Sequence, residues 1–341
     1  MTTMTKNKFS NTFIKKVSFA CIVVSSFYLA QALTVSPARL EINVDPGMNS
    51  QNEFTLINEQ NEDQTFYTSV ENFEAQGESG TPNFIPGKDG LASWVQVAPS
   101  VTIKKGEKIK VPFTISVPND ADAGGHFAAI FLSTIPPSTK AGEVAVGAKV
   151  GMLMLVRVSG DIKEDGGIRS FLLKNGGHFA TSLPIDFVYR FNNNGNDRVK
   201  PVGTIDIRNM IGIKTESLDA NNREGNVLPN SIRRFEVRWG SEDAPPASAP
   251  FFSHVKYEMS NFALGLYFAN LNLSFGLTSK TSSSLYFVVF PWHLILVILV
   301  ILLVVFLIMS FALKKYNQFI IKQARLMNQE GNGESNHHKK K

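Results

Sequence analysis

Residues 94–134 read WVQVAPSVTIKKGEKIKVPFTISVPNDADAGGHFAAIFLST, and this stretch determines the expected fold class. Short runs rich in β-branched and aromatic residues alternate with turn formers at 104–107 (KKGE) and 119–122 (NDAD). Gly, Asn and Asp favour turns because they tolerate unusual backbone conformations or make local hydrogen bonds. The pattern predicts four strands, Trp94–Ala98, Ser100–Lys104, Lys108–Val117 and His126–Thr134.

The same pattern continues on both sides of this stretch. The predicted upstream strands are Ala38–Val44, Asn52–Ile57 and Thr65–Glu71. Downstream, the long apolar run Val144–Val158 is interpreted as the last strand of a first domain. Residues 161–167 (DIKEDGG) are the predicted linker.

A second series of strands is predicted after the linker: Leu183–Phe191, Val202–Asn209, Ser231–Trp239, His254–Ser260 and Leu264–Leu273. Residues 192–196 (NNNGN) predict a hairpin-type turn, and residues 240–250 an exposed excursion. No segment is a convincing amphipathic helix. The chain is therefore predicted to be all-β, with two tandem immunoglobulin-like antiparallel sandwiches at 33–160 and 161–284.

Residues 285–313 contain no Asp, Glu, Lys or Arg and predict one C-terminal transmembrane helix, joined to the second domain by the polar residues 282–284. Seventeen of the 20 residues from Leu294 to Leu313 are Leu, Ile, Val or Phe. A helix of that length rises about 30 Å, the thickness of the hydrocarbon core of a bilayer.

The flanks of this segment fit the same interpretation. Lys314 and Lys315 follow it at once. Trp292-His293-Leu294 spells W-x-L, but Trp292 also stands where aromatic residues line a membrane interface, and this role is sufficient to explain it.

The first 32 residues have the three parts of a secretory signal. A region with four Lys precedes the apolar or small residues 17–30, and Ala30 and Ala32 occupy the two positions that a signal peptidase reads. An uncleaved signal anchor is the alternative. Cys21 could indicate a lipoprotein, but the apolar stretch continues past it. Because Cys21 is the only cysteine, cleavage after Ala32 would leave a chain that can form no internal disulfide.

The net charge of +5 is concentrated beside the two hydrophobic segments. The signal has four Lys and no acid, and residues 314–341 have seven Lys or Arg against two Glu. Residues 33–313 hold 23 basic and 27 acidic groups, which argues against nucleic-acid binding. By the positive-inside rule, we expect a single-pass protein of the cell membrane, with its domains extracellular or periplasmic and the basic tail 314–341 in the cytoplasm.

The sequence contains no recognised catalytic template, so we predict a non-enzymatic protein without catalytic residues, metal ligands or a cofactor. The histidines, such as His126, His178 and His254, are widely separated, and a zinc site would have to assemble from distant strands. Residues 120–122 and 192–197 offer oxygen ligands for calcium but lack the spacing of an EF-hand. Trp94 is predicted to be a core residue, with a role on a binding face as the alternative.

Several phrases resemble bacterial surface domains of the pilus-chaperone-like class. They are residues 35–40 (VSPARL) with 45–47 (DPG), 103–107 (IKKGE) running into 113–118 (FTISVP), 124–127 (GGHF), 191–196 (FNNNGN), 201–203 (PVG) and 228–235 (LPNSIRRF). With the order signal, two sandwiches, membrane helix and basic tail, the chain resembles the WxL-interacting proteins of bacterial cell surfaces over roughly residues 34–320.

The resemblance implies a first domain that binds peptidoglycan and a second that holds partner surface proteins, but no residue matches a motif that would identify the binding positions. We therefore expect a membrane-anchored, non-enzymatic cell-surface protein that binds cell-wall polymer or another envelope protein. The alternative is a membrane-tethered assembly chaperone for secreted surface subunits. Val144–Val158 could then offer an unpaired strand edge, or it could simply complete its own sheet.

We expect the mature protein to begin at Leu33, because a signal peptidase requires small residues where Ala30 and Ala32 stand. Mass spectrometry of the N-terminal peptide from membranes measures this. Ala32→Trp should retain residues 1–32, whereas Cys21→Ser should leave processing unchanged. A wild-type protein that begins at Met1 would instead be a signal anchor.

Overall fold

The computed structural model describes residues 33–87, 89–136 and 149–337, with side chains up to residue 325. The predicted cleavage residues Ala30 and Ala32 lie outside the described residues. The described residues divide into two compact units. One contains residues 33–76 and the described residues between 81 and 163, and the other contains residues 77–80 and 164–337. The expected all-β class with one long C-terminal helix is confirmed.

The first unit is a sandwich of two sheets. Its strands are β1 (Leu33–Ser36), β2 (Arg39–Val44), β3 (Asn49–Asn58), β4 (Gln64–Gln76), β5 (Thr81–Ile85), β6 (Val95–Val97), β7 (Ser100–Ile103), β8 (Lys108–Ser116), β9 (Gly124–Ser133) and β10 (Lys149–Val158), with a one-turn helix α1 (Gly90–Trp94). One sheet has the order β1-β3-β8-β6. The other has the order β2-β10-β9-β4-β5, and β7 also pairs with β4.

Alternation of apolar and polar residues explains how these strands form one core. In β8, Val111, Phe113 and Ile115 are buried, whereas Lys108 and Lys110 are exposed. Successive side chains of a strand point to opposite faces, so this spacing gives the sheet one apolar face. The apolar faces of both sheets supply a single cluster of buried residues.

The first two strands belong to different sheets. β1 pairs antiparallel with β3, and β2 pairs parallel with β10. Pro37 stands between them and has no N–H to contribute to a ladder, so the chain can leave one sheet here without an orphaned donor. This switch closes one side of the sandwich.

The second unit is also a sandwich of two sheets. Its elements are β11 (Gly166–Leu173), β12 (Phe179–Ala180), β13 (Ile185–Asn193), β14 (Val202–Asn209), β15 (Lys214–Asp219), β16 (Ser231–Trp239), helix α2 (Phe251–Ser260), β17 (Gly265–Phe275), β18 (Ser279–Val289) and helix α3 (Trp292–His337). The sheets have the orders β11-β13-β16 and β12-β18-β17-β14-β15.

Aromatic residues fill the core of the second unit. The buried Tyr189 ring stacks on Phe235 with 4.8 Å between centroids, and its hydroxyl donates to the Ala220 carbonyl at 2.9 Å. Burial raises the pKa of the Tyr189 phenol, because the charged form would lose its hydration. Tyr189 therefore stays a neutral, hydrogen-bonded core residue.

The turn expected at residues 192–196 is not a hairpin. β13 and β14 lie in different sheets, so this segment crosses between them. The buried Asn193 side chain holds the crossing, since its amide donates to the carbonyls of Asp197 (2.7 Å) and Val227 (2.9 Å). Turn composition predicted the bend, but it carries no information on which sheet receives the next strand.

The strand expected at His254–Ser260 is wrong, because this segment belongs to helix α2. Phe251, His254 and Glu258 all contact the start of α3, and their spacing of three and four residues matches one face of a helix. The partner that selects the helix lies more than 30 residues away in the chain, so the local pattern could not reveal it.

The expected start of the membrane helix at residue 285 is also wrong. Residues 285–289 form the end of β18, and the supposed join at 282–284 lies in the middle of the same strand. Leu285, Phe287 and Val289 are buried, while Tyr286 is exposed. An uncharged apolar run is compatible with either a membrane helix or a strand of the core. The alternating burial of residues 285–289 identifies this run as a strand.

Helix α3 is the one helix in the described residues that is long and apolar enough to cross a membrane, over Trp292–Arg325. Its large apolar side chains, including Phe306 and Ile308, are exposed. A helix of a soluble core would bury such residues, so this exposure favours a lipid environment. The topology expected from the flanking charges stays a prediction.

Phe287→Ala should lower the free energy of unfolding of the second unit by about 3–5 kcal/mol, because it empties a filled core position. Phe287 is 0% exposed and its neighbour Tyr286 is 55% exposed, so Tyr286→Ala is the matched control, with an expected effect within about 0.5 kcal/mol. Hydrogen exchange of the slowest β17 amides measures both. Equal losses would contradict the assignment of residues 285–289 to a strand.

Candidate binding edge and membrane-flanking residues

The predicted membrane-flanking residues all lie on helix α3. Trp292 is its first residue, Leu294 and Leu313 bound the apolar segment, and Lys314 and Lys315 continue the same helix. The Lys315 ammonium lies 5.0 Å from the centroid of the Phe311 ring. A role for these residues at a bilayer stays a prediction.

A buried carboxylate joins α2 to the start of α3. Glu258 is 2% exposed, its Oε1 lies 2.6 Å from His293 Nδ1, and its Oε2 accepts the Leu294 N–H at 2.8 Å. The first N–H groups of a helix lack partners within the helix and carry partial positive charge. Glu258 therefore satisfies one of these groups and fastens α2 to the base of the apolar helix.

Aromatic rings surround this carboxylate. His293 stacks on His254 with 4.6 Å between centroids and lies 3.8 Å from the Trp292 ring, and Phe251 packs 5.3 Å from His293. The Trp292-His293-Leu294 triplet thus serves a structural junction within the second unit. Its role in an aromatic belt at a membrane interface stays a prediction.

In the described part of the chain, the other residues considered as metal or binding candidates do not form a cluster. His126 Nε2 lies 2.8 Å from the Asp122 carbonyl, and its ring contacts Trp94 at 4.6 Å. Trp94 is half-buried and packs against the core, as expected for a core residue. Within residues 33–87, 89–136 and 149–337, no group of three or more His, Cys, Asp or Glu could hold a metal ion.

Strand β10 offers the clearest candidate for a binding site in the first unit. All ten of its residues pair with β9, from Lys149 opposite Ser133 to Val158 opposite Gly124. On its other side, β2 pairs only with Leu153–Val158, beginning where the Leu153 N–H donates to the Ala38 carbonyl at 2.9 Å. Among the described strands, none pairs with residues 149–152 on that side, and we call these four residues the open edge.

The backbone of the open edge points outward at alternate residues. Leu153 donates toward β2, and residues two apart in a strand direct their N–H and C=O groups to the same side. Lys149 and Gly151 therefore direct these groups to the side on which none of the described strands pairs with them. They form the hydrogen-bonding unit that an added strand would need.

The side chains of β10 hold the open edge in place. Met152, Met154 and Val156 are buried in the core of the sandwich. On the opposite face, a Cβ at Gly151 would come within 2.7 Å of the Phe131 ring, so this position requires glycine. The backbone of the open edge is therefore packed tightly onto β9.

The single charge at the open edge lies across the sheet face. Lys149 Nζ donates to Glu71 Oε1 at 2.5 Å and sits 3.8 Å from the centroid of the Phe131 ring. Lysines at sheet edges commonly discourage pairing with other chains. Here the ammonium is instead paired with groups on β4 and β9 of its own sheet.

Sequence reasoning identified the run Val144–Val158 as a strand, but not which of its residues lack a second pairing strand. Residues 144–148 lie outside the described residues, and 153–158 form an interior part of the sheet. The run thus completes its own sheet over residues 153–158, and over residues 149–152 it has only β9 as a partner among the described strands. The start of the partner strand β2 sets that limit, and it is encoded more than 100 residues earlier in the chain.

No family model and no curated protein matches this sequence. Among solved structures, the chain is similar to the class 5 fimbriae chaperone CfaA, with 13% identity, coverage of 75% of this chain and 99% of that chain, and a TM-score of 0.36. It is also similar to the E. coli chaperone DraB, with 12% identity, coverage of 76% and 95%, and a TM-score of 0.34.

A third similar structure is the CsuC–CsuE chaperone–tip adhesion subunit pre-assembly complex of archaic Csu pili from Acinetobacter baumannii. Its identity is 15%, its coverage 64% of this chain and 94% of that chain, and its TM-score 0.33. Similarity at this level carries no conclusion about function. Membership in the WxL-interacting proteins stays a prediction.

Glu258→Ala should loosen α2 from α3, because it leaves the Leu294 N–H and His293 without their buried partner. We expect a loss of about 1.5–3 kcal/mol in local stability, the range for hydrogen bonds to charged groups. Hydrogen exchange of the α2 amides measures this loss. Lys256→Ala on the exposed side of the same helix is the control, and equal exchange in both variants would contradict the role of Glu258.

Proposed function

We propose that this protein is a membrane-tethered assembly chaperone, which binds an extended segment of another exported protein by strand addition at the open edge of β10. The observation that carries the proposal is the four-residue stretch 149–152, which pairs with β9 on one side and with none of the described strands on the other. Strand addition to a sheet edge is a common mode of peptide recognition.

The backbone supplies the affinity in this mode. The outward N–H and C=O groups of Lys149 and Gly151 can pair with an incoming strand, and these contacts do not depend on the partner's sequence. A chaperone that serves several subunits needs such tolerance. Pairing also covers groups that would otherwise remain exposed at the edge.

The side chains supply selectivity for an apolar, alternating partner. At alternate positions from 144 to 158, the sequence reads Val, Val, Ala, Val, Met, Met, Val and Val. The last four of these are buried in the core of the first unit, and Val150 is half-buried next to them. A partner strand with its own alternating apolar residues would extend this apolar face.

The proposal includes a location and a topology. The exposed apolar surface of α3 supports a membrane tether. The excess of Lys and Arg after Leu313 supports a cytoplasmic tail, so both sandwiches would face the side where exported subunits emerge. We also propose that the protein is non-enzymatic.

The resemblance to the WxL-interacting proteins implies a different function, the display of a sandwich that binds cell-wall polymer. The open edge favours a polypeptide partner over a polysaccharide, because a strand's donors and acceptors match another backbone in spacing. In the described part of the chain, no observation specifically favours peptidoglycan.

A photo-crosslinking amino acid in place of Lys149 should trap exported polypeptides in cells, because a bound strand would lie beside the open edge. The matched control is the same replacement of Lys105, an exposed lysine in the turn between β7 and β8. Mass spectrometry of the adducts, collected after a pulse of new synthesis, identifies the trapped segments and their lifetime.

We expect adducts at position 149 that map to apolar, alternating segments and disappear as the partners mature. Equal yields at positions 149 and 105 would contradict strand addition. Adducts that persist on one folded partner would support stable display of that partner instead of chaperoning.

A further inference from the structure

One end of the five-stranded sheet in the second unit gathers exposed apolar side chains. The strand register defines this end. Val289, the last residue of β18, pairs with Gly265 at the start of β17, and Tyr267 of β17 pairs with Asn209 at the end of β14. The β14–β15 turn and the loop from α2 to β17 therefore lie at the end from which the chain enters α3.

The turn at this end exposes three large apolar side chains. Met210, Ile211 and Ile213 are 70%, 71% and 58% exposed, respectively. Further exposed apolar residues at the same end are Phe262, Leu264 and Phe290. We call these six residues the apolar rim.

The outer face of the sheet changes polarity along its length. Near the apolar rim, the exposed residues of β17 and β18 are Phe268, Tyr286 and Val288. Toward the other end, the same face carries Asn272, Ser282 and Lys280. This gradient follows the strands toward α3, whereas an ordinary solvent-exposed sheet face would be polar throughout.

The backbone of the β14–β15 turn is largely satisfied within the hairpin. Asn209 Oδ1 accepts the N–H groups of Ile211 (3.2 Å) and Ile213 (3.0 Å), and the Asn209 carbonyl accepts the Gly212 N–H (2.9 Å). Arg208 donates to the Gly212 carbonyl at 3.0 Å. Such a turn can enter an environment poor in water, because its polar groups bring their own partners.

Gly212 permits this compact turn. Its φ of +83° lies in the left-handed region, and it has no Cβ to clash there. The turn thus presents three large apolar side chains around one glycine. Such a tip can bury apolar side chains in an apolar environment while leaving few backbone N–H and C=O groups unpaired.

We propose that the apolar rim is a lipid-binding surface, in which the tip Met210–Ile213 enters the interfacial layer of the bilayer that α3 spans. This inference rests on the membrane tether of the proposed function, but not on strand addition at the open edge. An apolar face that lies in an interface typically reaches about 5–10 Å into the boundary between headgroups and acyl chains.

Continuity with α3 identifies the bilayer as the occupant. β18 ends at Val289 and α3 begins at Trp292, so the rim is covalently joined to the apolar helix within three residues. Glu258 further fastens α2, and with it the loop that carries Phe262 and Leu264, to the first turn of α3. These contacts hold the rim at the level where α3 would emerge from lipid.

Basic groups just behind the tip fit the headgroup layer. Arg208 and Lys214 pair across β14 and β15 next to the turn, and Lys214 Nζ lies 2.8 Å from Asp206 Oδ1. Hydrogen bonds from Lys214 and Ser217 hold the pKa of the Asp206 carboxyl below its usual range, which keeps this pair charged. Basic side chains favour this depth because their stems lie in apolar surroundings while their charges stay hydrated.

A fluorescent label on single cysteines of the full-length protein in phosphatidylcholine vesicles tests the proposal. Cys21, the only native cysteine, is first replaced by Ser. Ile211→Cys places an environment-sensitive dye at the tip. Leu277→Cys is the matched control, because Leu277 is an 86% exposed apolar residue in the β17–β18 turn at the opposite end.

At position 211, we expect blue-shifted emission and quenching by nitroxides attached high on the lipid acyl chains, with neither effect at position 277. A label that is quenched equally at both positions, or at neither, would overturn the proposal. A label at 211 that is shielded from water but not quenched by lipid nitroxides would show that protein covers the tip, and would overturn it as well.

A second variant separates lipid contact from a local effect of the dye. With the label at Met210→Cys, an added Ile211→Asp should reduce quenching, whereas an added Leu277→Asp should not. Circular dichroism of the variants checks that the sandwiches remain folded. Quenching that is unchanged by Ile211→Asp would contradict insertion of the tip.

Discussion

The pairing of β10 is the interaction on which the first unit depends. β9 binds the whole strand, whereas β2 binds only its second half, and Met152 and Met154 anchor the strand in the core. The same hydrogen bonds that close the sandwich therefore also define where it stays open. Unpaired edge groups are unfavourable unless water or another strand binds them, so an open edge packed this closely onto β9 is suited to receiving a partner.

In the second unit, too, backbone N–H and C=O groups need hydrogen-bond partners, and side chains supply them. Helix α3 begins with N–H groups that need partners, and Glu258 supplies one of them from α2. The β14–β15 turn satisfies its backbone through Asn209 and Arg208. Both arrangements lie at the same end of the sheet, where exposed apolar side chains surround the start of α3. Polar groups satisfied from within are what a protein surface in contact with lipid requires.

Elements whose pattern is local could be predicted from the sequence, whereas elements selected by distant contacts could not. Strands such as β8 were predictable because their alternation reflects one buried face, a property of neighbouring residues. Helix α2 and the end of β18 were not, because the contacts that select them come from α3 and β17. The candidate site was predictable as a run, Val144–Val158, but its open segment depends on how far β2 reaches along β10.

The sequence by itself determined the all-β class, the apolar helix before the basic tail, and the absence of catalytic templates. These features follow from residue type and local spacing, since alternation, length and charge act over a few residues. Only the tertiary structure decided which four residues of β10 lack a second partner among the described strands, and which loops share an end with α3. Those properties arise from pairing between segments far apart in the chain, and neither composition nor periodicity encodes such pairing in readable form.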